Sequence, residues 1–369
     1  MKRFAKLLLT FAVVTVAFSV SAAELRYVDA QTLTHLGKLF KTSNPYHRVE
    51  TASYPDLTPK EAELLRYPSG EAIVFETNST ELWVRMKIGR QSPMNGMPNY
   101  ATLGYTLYIE NEKGEWQWAA SHSGKVGIGS DGKERLERPL ALVKNMDGKR
   151  RKFLLYLPLY LEITHLDIGV VEGSEIKALE NPFRHKIAVF GSSFTQGHGA
   201  TNSGQTYLGF LQRWTGLDFI SFGMGGNSKL QPVMAQILAA TNADAFVFDA
   251  FSNPSIQEIK ERIHPFIRTI QASHPGKPLI FLRTIYRENR AFDTVREKRE
   301  QDRMEYVDAL MAEVVAQYDD VYFIAVKNQT GTDHETSADG THPMSWGYWR
   351  WAKAIEKPLL KHLKRYGIR

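Results

Sequence analysis

The 369-residue sequence contains no cysteine, so disulfide bonds, thiolate metal sites and cysteine nucleophiles are excluded. Its apolar run at residues 7–20 is shorter than the roughly 20 residues that a membrane-spanning helix needs. The sequence also lacks internal repeats and low-complexity segments. Because 43% of the residues are hydrophobic and the length is ordinary for two domains, we expect a globular protein of two domains. Burial of apolar side chains alone must stabilise its fold.

The first residues have the order of a secretory signal peptide. Lys2 and Arg3 give a basic start, the apolar run at 7–20 follows, and small residues at 21–23 supply a cleavage site. We therefore expect residues 1–23 to be removed and the mature protein to be periplasmic or extracellular. No cysteine follows the run to take a lipid anchor, and we expect no membrane span in the mature chain.

The charge balance is mildly basic. The formal net charge is +6, and three of the positive charges, Lys2, Arg3 and Lys6, belong to the predicted signal peptide. Basic clusters at 149–152 and 361–365 are not interleaved with a recognised nucleic-acid-binding motif and are typical of solvated turns and helix ends. We therefore expect no nucleic-acid partner.

Between about residues 70 and 175 the apolar positions alternate with polar ones, which is typical of strands with one buried face. The alternating positions include Leu82, Val84, Met86 and Ile88, and then Tyr105, Leu107 and Ile109. A turn at 112–114 separates the second set from Trp116 and Trp118, which predicts a β-hairpin. Further strand-like runs and no long helical pattern predict a β-sandwich for this half.

After Asn181-Pro182 short apolar runs alternate with longer amphipathic stretches. The predicted strands are residues 187–190, 219–222, 245–248, 279–282 and 321–325. Between the last two, apolar residues from Met304 to Tyr318 recur mostly every three or four positions, as on one face of a helix. Alternating strands and helices predict a parallel sheet covered on both sides, with a ligand site beyond the carboxyl ends of its strands.

Candidate functional residues follow three of these strands. Ser193, in the turn 191–197, lies between a strand end and a helix start, although most such turns only cap helices. His198 either lines the pocket or belongs to a loop. Gly226 either forms a flexible turn or lets a backbone N–H approach a substrate oxygen. Asn253 either donates its side-chain amide into the same crevice or caps the next helix.

Asp339 and His342 lie near the C-terminus, just before an amphipathic helix that begins at about Ser345. An Asp and a His three residues apart can meet across one turn, so that the carboxylate holds the imidazole tautomer and the other ring nitrogen faces a nucleophile. The order of these sites brings all of them to one edge of one sheet, which indicates a single catalytic crevice.

These blocks resemble the SGNH (GDSL-like) hydrolase superfamily. Ser193 matches its nucleophile, Gly226 its glycine and Asn253 its asparagine, and Asp339 with His342 matches its DxxH pair. The sequence departs from the family pattern in two places, where Gly-Ser-Ser replaces Gly-Asp-Ser and Ser-Asn-Pro replaces the usual GxND.

Segments 44–48, 145–147 and 154–160 look like the β-sandwich that precedes this domain in one bacterial branch of the superfamily. The resemblance implies an α/β fold: a three-layer SGNH hydrolase domain with a central parallel sheet at 181–369, preceded by an N-terminal β-sandwich at 24–180. It also implies an esterase, often one that deacylates carbohydrates, with no metal or organic cofactor.

The resemblance assigns the catalytic roles. His342 would take the proton from Ser193, and Asp339 would stabilise the imidazolium. The amides of Ser193 and Gly226 and the side chain of Asn253 would form the oxyanion hole. The expected substrate is a glycan or small-molecule ester with a short acyl group, and a lipase-like or arylesterase-like enzyme of the same family is the alternative.

Two unrelated functions remain open on the sequence. Asp333, His334 and Glu335 crowd the stretch that also holds Asp339 and His342, and they have suitable types for a metal-dependent hydrolase, although their spacing matches no metal motif.

A non-catalytic glycan-binding protein is the second alternative. It rests on Trp83, Trp116 and Trp118 in the sandwich half, because exposed aromatic rings stack on sugars, whereas strand tryptophans are more often core residues.

Overall fold

A computed structural model describes residues 23–92, 94, 96–124, 131 and 133–369. The predicted signal peptide, apart from its last residue, lies outside the described residues. Within these ranges no helix has the length and apolar character needed to cross a bilayer.

Within its described residues, the first half is built from antiparallel strands with two short α-helices. The strands are β1 (Leu25–Asp29), β2 (Thr34–Leu36), β3 (Ala72–Thr77), β4 (Leu82–Gln91), β5 (Gly104–Glu110), β6 (Trp116–Ser123), β7 (Arg135–Leu136), β8 (Leu140–Val143), β9 (Arg151–Tyr156), β10 (Leu161–Val171) and β11 (Ile176–Ala178). The helices are α1 (Pro59–Leu65) and α2 (Asn99–Thr102). The predicted hairpin is confirmed as β5 and β6.

The strands form two sheets that enclose a common core. One sheet has the order β1-β10-β4-β7 with β8 beside β4, and the other has the order β11-β3-β9-β5-β6 with β2 beside β3. Val84 and Met86 of the first sheet share a buried cluster with Phe75 and Phe153 of the second. Alternating side chains of both sheets therefore fill one interior, which confirms the predicted β-sandwich.

The second half alternates strands and helices. Its elements are β12 (Arg184–Gly191), α3 (Ser193–Gln196), α4 (Tyr207–Thr215), β13 (Leu217–Gly223), α5 (Pro232–Ala239), β14 (Ala245–Asp249), α6 (Ile256–Ser273), β15 (Leu279–Leu282), α7 (Thr294–Gln317), β16 (Val321–Ile324) and α8 (Ser345–Leu363). All five strand runs predicted from the sequence lie in this sheet, which is parallel throughout.

The strand order is β13-β12-β14-β15-β16, with helices on both faces. From β12 the chain first moves outward to β13 and then returns past β12 to β14. The direction of winding thus reverses beside the carboxyl end of β12, where a parallel sheet leaves a crevice for a ligand. The predicted three-layer α/β fold is confirmed, and Ser193 follows the strand at this reversal.

The buried Arg48 joins the sandwich half to this crevice. Its guanidinium donates to the carbonyls of Leu64 and Tyr67 at 2.6 and 2.8 Å, and to those of Ser221 and Gly223 at 3.0 Å each. Four carbonyl oxygens compensate the buried charge where a carboxylate would otherwise be expected. Arg48 therefore fixes the start of the glycine-rich turn after β13 against helix α1.

Candidate active site

Ser193 lies on a sharp turn between β12 and α3. The side chain of Ser192 caps the short helix by accepting a hydrogen bond from the Phe194 N–H at 3.1 Å. Gly191 admits no side chain, because a Cβ there would overlap Thr195 Oγ1. The turn therefore requires a glycine before the serine pair, and it places the Ser193 hydroxyl at the carboxyl edge of the sheet.

The buried carboxylate of Asp249 braces this turn from the neighbouring strand β14. Its Oδ2 accepts hydrogen bonds from Ser192 Oγ at 2.8 Å, from the Ser192 N–H at 3.2 Å and from Thr195 Oγ1 at 3.0 Å. Burial raises the pKa of Asp249 to about 6, against the opposing effect of these bonds. Asp249 is not among the residues predicted from the sequence, although it directly follows a fully apolar strand run, where side chains of a parallel sheet reach the site.

The three residues expected to form a triad are brought together. Ser193 Oγ lies 2.8 Å from His342 Nε2, and His342 Nδ1 lies 2.7 Å from Asp339 Oδ2. Asp339 Oδ1 accepts the backbone N–H groups of Thr341 and His342 at 2.8 and 2.7 Å, so the carboxylate is held from both sides. The spacing of three residues thus closes one turn around the carboxylate, as the DxxH pattern predicts.

The electrostatics of this group suit proton transfer. Partial burial opposes ionisation of Asp339, but the bonds from His342 and Thr341 lower its pKa to about 2, so it is ionised at neutral pH. Burial lowers the pKa of His342 below its usual value, although the Asp339 carboxylate favours the charged form. A neutral imidazole beside the Ser193 hydroxyl can act as a general base at neutral pH.

The predicted oxyanion residues also face this cleft. Gly226 lines it with a backbone φ of +72°, a conformation that favours glycine. Asn253 lines it from the loop after β14, and its Oδ1 accepts the Ser228 N–H at 3.3 Å. This contact occupies the amide oxygen and leaves the amide nitrogen of Asn253 to donate.

The alternative in which Asn253 caps the following helix is wrong. Helix α6 begins three residues later, at Ile256, and is capped by Ser255, whose Oγ accepts the Glu258 N–H at 3.1 Å while the Glu258 side chain accepts the Ser255 N–H. This reciprocal arrangement satisfies the helix start. Asn253 has no part in it.

His198 packs directly against the candidate base. The ring centroids of His198 and His342 are 3.9 Å apart with an angle of 38° between the planes, and Tyr160 Oη lies 3.5 Å from His198 Nδ1. Burial, together with the charge of His342, lowers the pKa of His198 to about 4. A neutral ring therefore supports His342 without competing for its positive charge. His198 belongs to the turn after α3 and also lines the pocket.

Both halves of the chain form the cleft, whose volume is ≈ 290 Å³. Its sandwich-half wall consists of Lys60, Leu64, Ser92, Met94 and Tyr160. The opposite wall includes the residues already described together with Arg287 and Thr341. Nothing local in the sequence shows that α1 and the loop after β4 reach the site, because such long-range contacts leave no periodic pattern.

The geometry disfavours the metal-dependent alternative. Asp333 bonds to Arg350 Nη2 at 2.8 Å, and His334 Nδ1 lies 2.6 Å from Glu288 Oε2. Among the residues that the structure describes, only His198, Asp339 and His342 lie close enough to share an ion. The Asp339 and His342 atoms are already accounted for by the contacts within the triad.

The three sandwich tryptophans differ in exposure. Trp83 Nε1 donates to Glu81 at 2.9 Å and its ring lies under the Lys144 ammonium, while Trp116 packs against Phe183. Trp118 is 50% exposed. The glycan-binding alternative therefore retains one exposed ring of the three on which it rests.

Comparison with known proteins gives a family match for each half of the chain. A model of the GDSL-like lipase/acylhydrolase family matches residues 184–360, and a model described as the N-terminus of SGNH-hydrolase-type esterases matches residues 25–176. Among curated proteins, none is significantly similar to the chain.

Several solved structures share the fold. A GDSL-like lipase from Bacteroides ovatus is 35% identical with a TM-score of 0.86, over 92% of this chain and 98% of that one. A salicylyl-acyltransferase from a tetracycline biosynthetic pathway is 18% identical with a TM-score of 0.70, over 94% and 99% of the two chains. A family two carbohydrate esterase from Cellvibrio japonicus is 11% identical with a TM-score of 0.61, over 93% and 99%. The last two likenesses concern the fold alone, whereas the first, with the family model, identifies this chain as a member of the GDSL-like lipase/acylhydrolase family.

Proposed function

We propose that the protein is an exported serine esterase that removes short acyl groups, such as acetyl, from carbohydrates. The observation that carries the proposal is the continuous contact from Ser193 Oγ through His342 to Asp339, at 2.8 and 2.7 Å, inside a cleft at the carboxyl edge of the parallel sheet. This arrangement has the geometry of a nucleophile, a base and an orienting carboxylate.

The reaction follows from these contacts. His342 Nε2 takes the proton of Ser193 as Oγ bonds to the ester carbon, and the carbonyl oxygen becomes an oxyanion. When the tetrahedral intermediate collapses, the carbon–oxygen bond to the alcohol breaks and the imidazolium returns its proton to that alcohol. A water molecule, deprotonated by His342, then attacks the acyl-enzyme. The bond from the acyl carbon to Ser193 Oγ breaks, the imidazolium returns its proton to Oγ, and the carboxylic acid leaves. Asp339 stays ionised and stabilises the imidazolium in both halves of the reaction.

The oxyanion hole consists of the backbone N–H groups of Ser193 and Gly226 with the side-chain amide of Asn253. Ser193 is the first residue of helix α3, so its N–H has no hydrogen-bond partner within that helix. The turn after β13 holds Gly226 at the same cleft. Donors fixed in place before the reaction stabilise the developing charge without reorganising.

The size and setting of the cleft support a short acyl group on a sugar. A volume of ≈ 290 Å³ lies at the lower end of small-molecule sites, which favours a short acyl group. The fold shared with the carbohydrate esterase and the predicted export both favour an extracytoplasmic glycan ester.

We also propose the division into a signal peptide at 1–23, a sandwich domain at 24–180 and a hydrolase domain at 181–369, which the two separately matching family models support.

The test is acid release by purified residues 24–369 from acetylated oligosaccharides and from 4-nitrophenyl esters of two and twelve carbons. We expect hydrolysis of acetyl substrates, little activity on the long ester, none in Ser193→Ala and no loss with a chelator. Preference for the long ester would favour a lipase, whereas preference for the aryl acetate over every sugar acetate would favour an arylesterase. Inactivation by the chelator would favour the metal-dependent alternative.

A further inference from the structure

A second and larger cavity adjoins the active-site cleft. Its volume is ≈ 710 Å³, and it shares Asn253 and Arg287 with the cleft that contains Ser193. The first turns of helix α7 and the loop that starts at Ser252 form its walls. The two spaces therefore meet at Asn253 and Arg287.

Positive charge predominates in the second cavity. Its lining contains Lys229, Arg287, Arg299 and Arg303 but only two carboxylates, Glu258 and Glu300. The cleft beside it has no carboxylate among its lining residues, and its own cations are Arg287 and Lys60, the latter paired with Glu63 at 3.1 Å. The two spaces together are thus lined by more cations than anions.

One buried carboxylate serves three guanidinium groups. Glu300 Oε1 lies 3.3 Å from Arg287 Nη1 and 3.7 Å from Arg299 Nη2, and it also bonds to Arg303. A single negative charge cannot neutralise three positive ones in a partly buried site, where charges are weakly screened. The lining beside Asn253 therefore carries more positive than negative charge.

Two of these arginines also have a structural role. Arg287 Nη2 and Arg303 Nη1 donate to the Ser252 carbonyl at 2.9 and 2.8 Å, which holds the loop that presents Asn253. Arg287 is mostly buried, and within the described part of the chain its Nε has no hydrogen-bond partner. Arg299 is different, because its side chain is 66% exposed at the cavity rim and its closest carboxylate is the already shared Glu300. Positioning of this loop therefore accounts in part for the presence of Arg287 and Arg303, but it does not account for that of Arg299.

We infer that the second cavity binds the anionic group of an acidic sugar, a hexuronic acid being the simplest, while the acyl ester of that sugar lies at Ser193. This inference rests on the proposed esterase function and specifies its substrate class. Arg299, which is exposed at the rim, supplies donors for a carboxylate. A neutral sugar would leave the cation surplus without a counter-charge.

The experiment compares acetate release from an acetylated methyl glucuronoside and the corresponding acetylated methyl glucoside by residues 24–369. We expect kcat/KM to be at least about tenfold higher for the glucuronoside at low ionic strength, and the ratio to fall in 0.5 M salt because salt screens the exposed part of the attraction. Arg299→Gln should reduce the ratio about threefold or more, through KM of the anionic substrate rather than its kcat.

Lys298→Gln is the matched control, since it removes the same charge from the same helix at a side chain that pairs with Asp302 and does not line the cavity. It should keep the wild-type ratio. A wild-type ratio near one, or equal ratios in Arg299→Gln and Lys298→Gln, would overturn the inference even if both sugars are hydrolysed. Absence of turnover on both sugars and on 4-nitrophenyl acetate would instead refute the esterase proposal beneath it.

Discussion

Replacing Asn253 with alanine separates a catalytic from a structural role of this side chain. Its Oδ1 accepts one long hydrogen bond, 3.3 Å from the Ser228 N–H, and it does not cap α6. Loss of that bond should lower the free energy of unfolding by no more than about 1 kcal/mol. If the amide nitrogen donates to the oxyanion, kcat should fall about 10²- to 10³-fold, equivalent to about 2.7–4 kcal/mol, with a smaller change in KM.

The assay is acetate release together with urea unfolding on the same protein preparations. Ser255→Ala is the control, because it removes the real cap of α6 and should cost about 1 kcal/mol of stability without lowering kcat. An Asn253→Ala variant with unchanged kcat and a lowered unfolding midpoint would refute the reasoning. The oxyanion would then depend on backbone amides alone.

Four further outcomes are expected. Ser192→Ala should keep most activity but lose about 1–2 kcal/mol in urea unfolding, because it removes the cap on the Phe194 N–H and a donor to buried Asp249; inactivity would make Ser192 catalytic. Since burial raises the pKa of Asp249 to about 6, its contribution to stability is greatest below the usual value of 3.8 and is lost as pH rises through about 6. Asp249→Asn should abolish that component, so the difference in free energy of unfolding between the wild type and Asp249→Asn should change between pH 4 and pH 7. A difference that stays constant over this range would contradict the prediction. Because His342 must be neutral to act as a base and burial lowers its pKa, kcat/KM should rise with pH through an apparent pKa below 6.5; a midpoint above 7 would exclude this base. Asp339→Asn and His342→Ala should be far from additive in kcat, and losses that multiply would mean that Asp339 does not orient His342.

The sequence predicts those features that depend on periodicity or on short motifs. Alternation at 82–88 identifies β4, the five apolar runs identify the parallel sheet, and the spacing of Asp339 and His342 predicts their contact. Each of these is a local property, because a strand or a single turn fixes the relative positions of nearby residues.

Features that depend on tertiary context cannot be predicted from the sequence. Helix α7 begins at Thr294, ten residues before the apolar face that starts at Met304. The apolar pattern does not reveal these first turns, because they bury Glu300 and Arg303 in an ion pair rather than apolar side chains. In the sequence nothing distinguishes Asp249 from other carboxylates at strand ends, and only the fold places it in contact with Ser192. In the same way, nothing local to Arg48 shows that it will bond to carbonyls more than 170 residues away.

The most direct test of the account is active-site labelling with a fluorophosphonate probe followed by peptide mapping. The account predicts one modified residue, Ser193, with loss of both labelling and acetate release in Ser193→Ala. Labelling should also fall sharply in His342→Ala, since Nε2 lies 2.8 Å from the hydroxyl it activates. A probe attached to Ser192 or elsewhere, or acetate release retained by Ser193→Ala, would contradict the assignment of Ser193 as the nucleophile.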